Sequence, residues 1–117
     1  MLRLVGVGVG VEEFQWSEDE QVWPFEKAKD GSTLYCKEVD FGALPNHGLK
    51  QVTHGISNMQ KPFSYVFISQ RETGDYNVQL DTTNVWSSVD STTINSQSNA
   101  DVSFQPAVCR IIYFKSS

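Results

Sequence analysis

Residues 31–56, GSTLYCKEVDFGALPNHGLKQVTHGI, read as two strands around a single break. Thr33 to Phe41 has period two: Tyr35, Val39 and Phe41 fall on one face, Glu38 and Asp40 on the other. The segment from Gly42 to Gly48 interrupts that alternation. Pro45-Asn46 sets φ for a turn, and Gly48 is free to take φ > 0 where the chain re-enters a strand. Leu49, Gln51 and Thr53 then oppose Val52 and Ile56, while Asp30-Gly31-Ser32 forms a turn in front of the first strand.

Downstream, Phe63 to Gln70 has Phe63, Tyr65 and Phe67 on one face and Val66 and Ile68 on the other. Both faces are apolar, which predicts a central strand covered on both sides. Arg71 to Asp75 is a hairpin turn with Gly74 at its left-handed position. Tyr76, Val78 and Leu80 alternate with Asn77, Gln79 and Asp81, and in the short run Val85 to Val89 Trp86 opposes the two valines. Ser91 to Asn99 is the most polar stretch, with Ile94 as a strand remnant. Ala100 to Phe104 makes another short strand before Pro106. Val108 to Lys115 is again apolar on both faces and must lie inside a sheet or under a partner chain. The expected fold class is all-β: an antiparallel, jelly-roll-like β-sandwich of about eight strands over residues 32–117.

Residues 1–31 are expected to form an extended N-terminal arm. Val5-Gly6-Val7-Gly8-Val9-Gly10-Val11 would place Val5, Val7, Val9 and Val11 on one face of a strand and glycine on the other. Such a strand is weak alone, because glycine loses backbone entropy on ordering and fills no space. It suits addition to a neighbouring sheet, where another backbone lies against the glycine row. Phe14, Trp16, Trp23 and Phe25 follow, and disordered tails are poor in aromatics. The arm carries seven acids against three bases, most of the net charge of −5.

The segment from Asp30 to Ile56 resembles a small β-domain of tailed-phage virion proteins, found in head-fibre or capsid-decorating proteins and in tail-fibre proteins. The resemblance rests on Asp30, Gly31, Leu34, Tyr35, Lys37, Asp40 to Asn46, Lys50, Val52 and His54 to Ile56. It implies a virion structural protein, assembled in the host cytoplasm and usually threefold. It implies no chemistry.

The residues themselves give little support for chemistry. His47 and His54 have no Cys or carboxylate at metal-ligand spacing, so no metal or cofactor is expected. His54 reads as the donor or acceptor of a turn-fixing hydrogen bond. Cys36 and Cys109 sit mid-strand in apolar settings, where the reactive thiolate is disfavoured. First and last strands often neighbour each other, so a bridge between them is geometrically open, but two buried thiols are the expectation. Carboxylate pairs such as Asp75 with Asp81 alternate with apolar neighbours and read as solvent faces rather than a glycosidase dyad. The chain is therefore not expected to be an enzyme.

No surface is basic enough to track phosphates, so nucleic acid is not an expected partner. No apolar run approaches the ~20 residues of a membrane helix, so no membrane insertion is expected. The start MLRLVGVGVGVEE, punctured by glycines and followed by acid, does not read as a signal peptide. The first functional expectation is a capsid-decorating (cement or head-fibre) or short fibre protein, anchored to the particle by Val5, Val7, Val9, Val11, Phe14, Trp16, Trp23 and Phe25. Its partners are itself, as a homotrimer, and a capsid or other virion protein. The trimer has a second source: two strands apolar on both faces are more than one small sandwich covers. The alternative is a tail-fibre receptor-binding or carbohydrate-binding module recognising a host-surface glycan, with Trp86, Tyr76 and Tyr65 stacking on sugar rings.

Overall fold

The structure is a computed structural model that describes residues 14–71, 73–79, 81 and 85–116. Its strands are β1 (Gln21–Val22), β2 (Tyr35–Ala43), β3 (Asn46–Thr53), β4 (Met59–Gln70), β5 (Tyr76–Gln79), β6 (Val85–Val89), β7 (Thr93–Asp101) and β8 (Pro106–Lys115). They form two antiparallel sheets, ordered β1-β2-β8-β4-β5 and β3-β7-β6, with no helix among the described residues. The two strands that are apolar on both faces, β4 and β8, lie side by side inside the larger sheet, as their patterning requires.

Pairing is nested. The first long strand pairs with the last, β2 with β8, and the next inward pair is β3 with β7. The chain therefore runs as one long ribbon that leaves the larger sheet and enters the smaller one, the wrapping of a jelly roll. Both strands of the ribbon bend at the same place: the Leu44 N–H donates to the Gln105 carbonyl and the Val102 N–H to the Pro45 carbonyl.

The residues of the phage-like segment build these corners. Gly42 sits at a bulge with φ 77° and its N–H is held by the Asp40 carboxylate at 2.9 Å. A Cβ there would meet Lys50 Nζ at 3.2 Å. That ammonium donates to the Ala43 carbonyl and lies over the Phe41 ring, 4.8 Å from its centroid. His54, Gly55 and Ile56 make the return corner to the larger sheet. The His54 Nδ1 accepts from the Ile56 N–H at 3.1 Å, so its Nε2 carries the proton and donates to the Asp90 carbonyl at 3.0 Å.

His54 is 4 % exposed. Replacing it with Ala strands a buried backbone N–H and a carbonyl, so His54→Ala is expected to cost about 2–4 kcal/mol. Urea titration checks this, and a loss below about 1 kcal/mol would contradict it.

Between the sheets lie Phe41, Phe67, Cys109, Ile111 and Tyr113 from the larger and Val89 and Ile94 from the smaller, closed at the ends by Leu44, Ile56 and Met59. Cys36 and Cys109 are both fully buried and free. The register pairs Cys36 with Ile112 and Cys109 with Val39, which puts the two thiols on opposite faces of the sheet. No disulfide can join them. Burial and the nearby Glu20 charge push Cys36 up to about 11, and burial pushes Cys109 up to about 12. The folded protein is expected to show no thiol reactive towards Ellman's reagent at neutral pH, and both in denaturant. Mass analysis without reductant should find no two-hydrogen deficit.

Several details depart from the sequence reading. The polar stretch Ser91 to Asn99 holds more than a strand remnant at Ile94: β7 is nine residues long and forms the middle of the smaller sheet. Ala100 and Asp101 end that strand, so Ala100 to Phe104 is not a separate one. The left-handed residue of the break falls on His47, with φ 48°, and not on Gly48. The division at residue 31 also has no gap behind it. Residues 14–31 lie on the sandwich, with β1 paired to β2 and the Glu38 N–H donating to the Ser17 carbonyl.

Candidate functional site

Of the residues read as an anchor, Val5, Val7, Val9 and Val11 lie outside the described residues. The structure brings the other four together. Phe14, Trp16, Trp23 and Phe25 form one aromatic cluster, with ring centroids 4.8–5.7 Å apart and mostly edge-on. Its partner is this chain's own larger sheet. Trp16 lies over Arg110, 5.4 Å from its guanidinium carbon, and Arg110 Nε donates to Glu38 at 2.8 Å on the neighbouring strand. The backbone N–H of Trp23 donates to the Leu34 carbonyl. Ala28, Leu34 and Cys36 are buried as well, apart from the core between the sheets.

Glu20 ties the same segment to the far end of β8. Its carboxylate accepts from Lys115 Nζ at 2.7 Å and from the Tyr113 hydroxyl. Burial pushes Glu20 up, but those two hydrogen bonds outweigh it and leave the carboxyl below its ordinary value. The Tyr113 phenol is pushed strongly up, first by burial and then by its bond to the anion. Glu18, Asp19 and Glu20 are all exposed, and Glu20 is spent on the ion pair with Lys115.

The outer face of the larger sheet carries apolar side chains on either side of the Arg110–Glu38 ion pair. Val66 and Ile68 of β4 stand opposite Arg110 and Val108 of β8. Phe63 does not share the face of Tyr65 and Phe67 that alternation gives it: the register shifts between Pro62 and Ser64, and Phe63 packs edge-on to Phe114 with centroids 5.8 Å apart. Towards the edge, Tyr76 and Val78 of β5 are exposed, Tyr76 by 74 %. Glu38, Ile68, Tyr76, Val108 and Arg110 line a depression of about 450 Å³ on this face.

The three aromatics considered for sugar stacking do not share a surface. Tyr65 packs against the core and its hydroxyl donates to the Ser87 carbonyl at 3.0 Å. Tyr76 lies on the outer face of the larger sheet. Trp86 lies on the outer face of the smaller one, in line with Leu49 and Gln97. That row was not legible in the sequence. Alternation shows that Trp86 opposes Val85 and Val89, but only the register shows which residues stand beside it.

Among the described residues, no three His, Cys, Asp or Glu side chains converge as a metal site would. The most strongly perturbed carboxylate is Asp90, held far below its ordinary value by the backbone N–H groups of Thr92 and Thr93 at 2.9 and 2.7 Å. It closes the β6–β7 hairpin and acts as a structural acceptor. Comparison of the chain with protein-family models, with curated proteins and with solved structures found no match.

Proposed function

We propose that this chain is a non-enzymatic structural protein of a tailed-phage virion, decorating the capsid or forming a short fibre as a homotrimer. Two things support the reading. The phage-like residues Asp40 to Asn46, Lys50 and His54 to Ile56 are corner-formers that define how the ribbon wraps, so the resemblance concerns architecture. The observation that carries the association is the outer face of the larger sheet, where Val66, Ile68, Val108 and Ile112 run on to exposed Tyr76 and Val78. A monomer rarely leaves such a stripe uncovered.

Attachment to the particle is assigned to residues before Phe14, because Phe14, Trp16, Trp23 and Phe25 already pack on their own domain. Val5, Val7, Val9 and Val11 would add to an edge strand of a shell protein, with the glycine row against the backbone. Burying each valine fully is worth roughly 1.5–3 kcal/mol before the cost of ordering the arm. Exposed Glu18 and Asp19 would make attachment partly sensitive to salt.

A chain starting at Phe14 keeps every contact described above. It is expected to sediment as a trimer at micromolar concentration, yet to fail to bind phage particles lacking the native protein. The full chain should bind them. A full chain that sediments as a monomer would remove the trimer, and full binding by the shortened chain would remove the arm as anchor.

A further inference from the structure

In the smaller sheet the register aligns Leu49, Gln97 and Trp86 in one outward row, and Gln51, Asn95 and Ser88 in the next. Thr53 and Thr93 form a third. None of these eight side chains is charged, in a chain where charged residues make up 20 %. Trp86 is 36 % exposed and Leu49 61 %, and they flank a shallow depression whose floor and walls include Asn95, Gln97 and Ser88. Asn95 is oriented by its neighbours: its Nδ2 lies 3.3 Å from Thr93 Oγ1 and 3.4 Å from Ser88 Oγ.

We propose that this face binds a neutral carbohydrate. The Trp86 indole stacks on the C–H face of a pyranose ring, Leu49 supports the adjacent residue, and the amides of Gln97 and Asn95 exchange hydrogen bonds with ring hydroxyls. A pyranose is apolar on its faces and rimmed with groups that both donate and accept. A flat aromatic beside uncharged amides and hydroxyls complements it without stranding any charge. A phosphate-bearing or acidic ligand would find no cation on these rows. A second copy of the chain would find only two apolar side chains, far fewer than the outer face of the larger sheet offers. Three adjacent strands hold the row rigid, so little ordering cost falls on binding. The inference rests on the smaller sheet alone and is independent of where the protein is mounted.

The full chain should be applied to an array of neutral oligosaccharides of glucose, galactose, mannose and N-acetylglucosamine, and the strongest hit titrated by amide-resolved NMR. Shift changes are expected at Leu49, Trp86 and Gln97. Trp86→Ala should weaken binding by about tenfold or more, and Gln97→Ala by several-fold. Thr73→Ala, in the exposed turn between β4 and β5 of the other sheet, should leave it unchanged. Gln97→Ala serves as the test if Trp86→Ala loses its folded spectrum. The proposal fails if no neutral oligosaccharide binds, or if binding survives both substitutions. It also fails if Trp86→Ala alters the sedimentation of the protein, because the face is then an interface between copies.

Discussion

Starting the chain at Asp30 is expected to strip the sandwich of much of its stability, by about 3–5 kcal/mol out of the ~5–15 typical of a domain. The truncation removes Phe14, Trp16, Trp23 and Phe25 as one packed unit, together with the β1–β2 pairing. It also takes away Glu20, leaving the Tyr113 hydroxyl without its acceptor and Lys115 without its ion pair. Leu34 and Cys36 lose their cover. The distinguishing readout is chemical: one thiol, Cys36, should become reactive in the shortened chain while Cys109 stays protected. Denaturant titration with thiol counting decides it. An unchanged midpoint with no reactive thiol would mean that residues 14–29 rest on the domain without supporting it.

Phe67→Ala should have a comparable effect from the opposite side of the sheet. Phe67 is 1 % exposed, near the centre of the molecule, and meets Phe41 edge-on with centroids 5.2 Å apart. Its neighbours belong to two sheets whose separation is set by many other contacts, so they cannot collapse into the space left behind. Losses of about 3–5 kcal/mol are usual for such a site. Phe63→Ala, on the outer face of the same strand, should cost under about 1 kcal/mol in the isolated subunit. Paired urea titrations would show the contrast. If the two substitutions cost the same, the assignment of inner and outer faces to β4 is wrong.

Much of this architecture can be read from residue patterning. Two-sided apolar alternation marks Phe63 to Gln70 and Val108 to Lys115 as interior strands, and the structure places both inside the larger sheet. One-sided alternation in Tyr35 to Phe41 and in Leu49 to Val52 gives the correct faces. Strand β7 shows where that signal goes silent. Its inward residues are Ile94, Ser96 and Ser98, all buried, and two of the three are small hydroxyl side chains that hydropathy scores as surface. Ser98 Oγ donates to the Ala100 carbonyl at 2.8 Å, so its hydroxyl is satisfied within the strand. The aromatic run from Phe14 to Phe25 announces a contact, but composition cannot say with what. The partner emerges only from Trp16 over Arg110 and Glu20 on Lys115. The Trp86 row likewise depends on pairing between strands distant in sequence, which no single stretch encodes.

The nested ribbon has a consequence for how the molecule comes into being. β8, the centre of the larger sheet, comes after all the other strands in chain order, and both β2 and β4 need it as a neighbour. Until β8 is made, those strands carry unpaired edges and apolar faces with nothing to close them. Folding therefore cannot complete before β8 emerges. With most pairings spanning tens of residues, it belongs to the slow, high-contact-order class that takes milliseconds to seconds. During that interval the nascent chain is most exposed to association with other copies, so shortening β8 should impair recovery of soluble protein more than an equal cut in the edge strand β5.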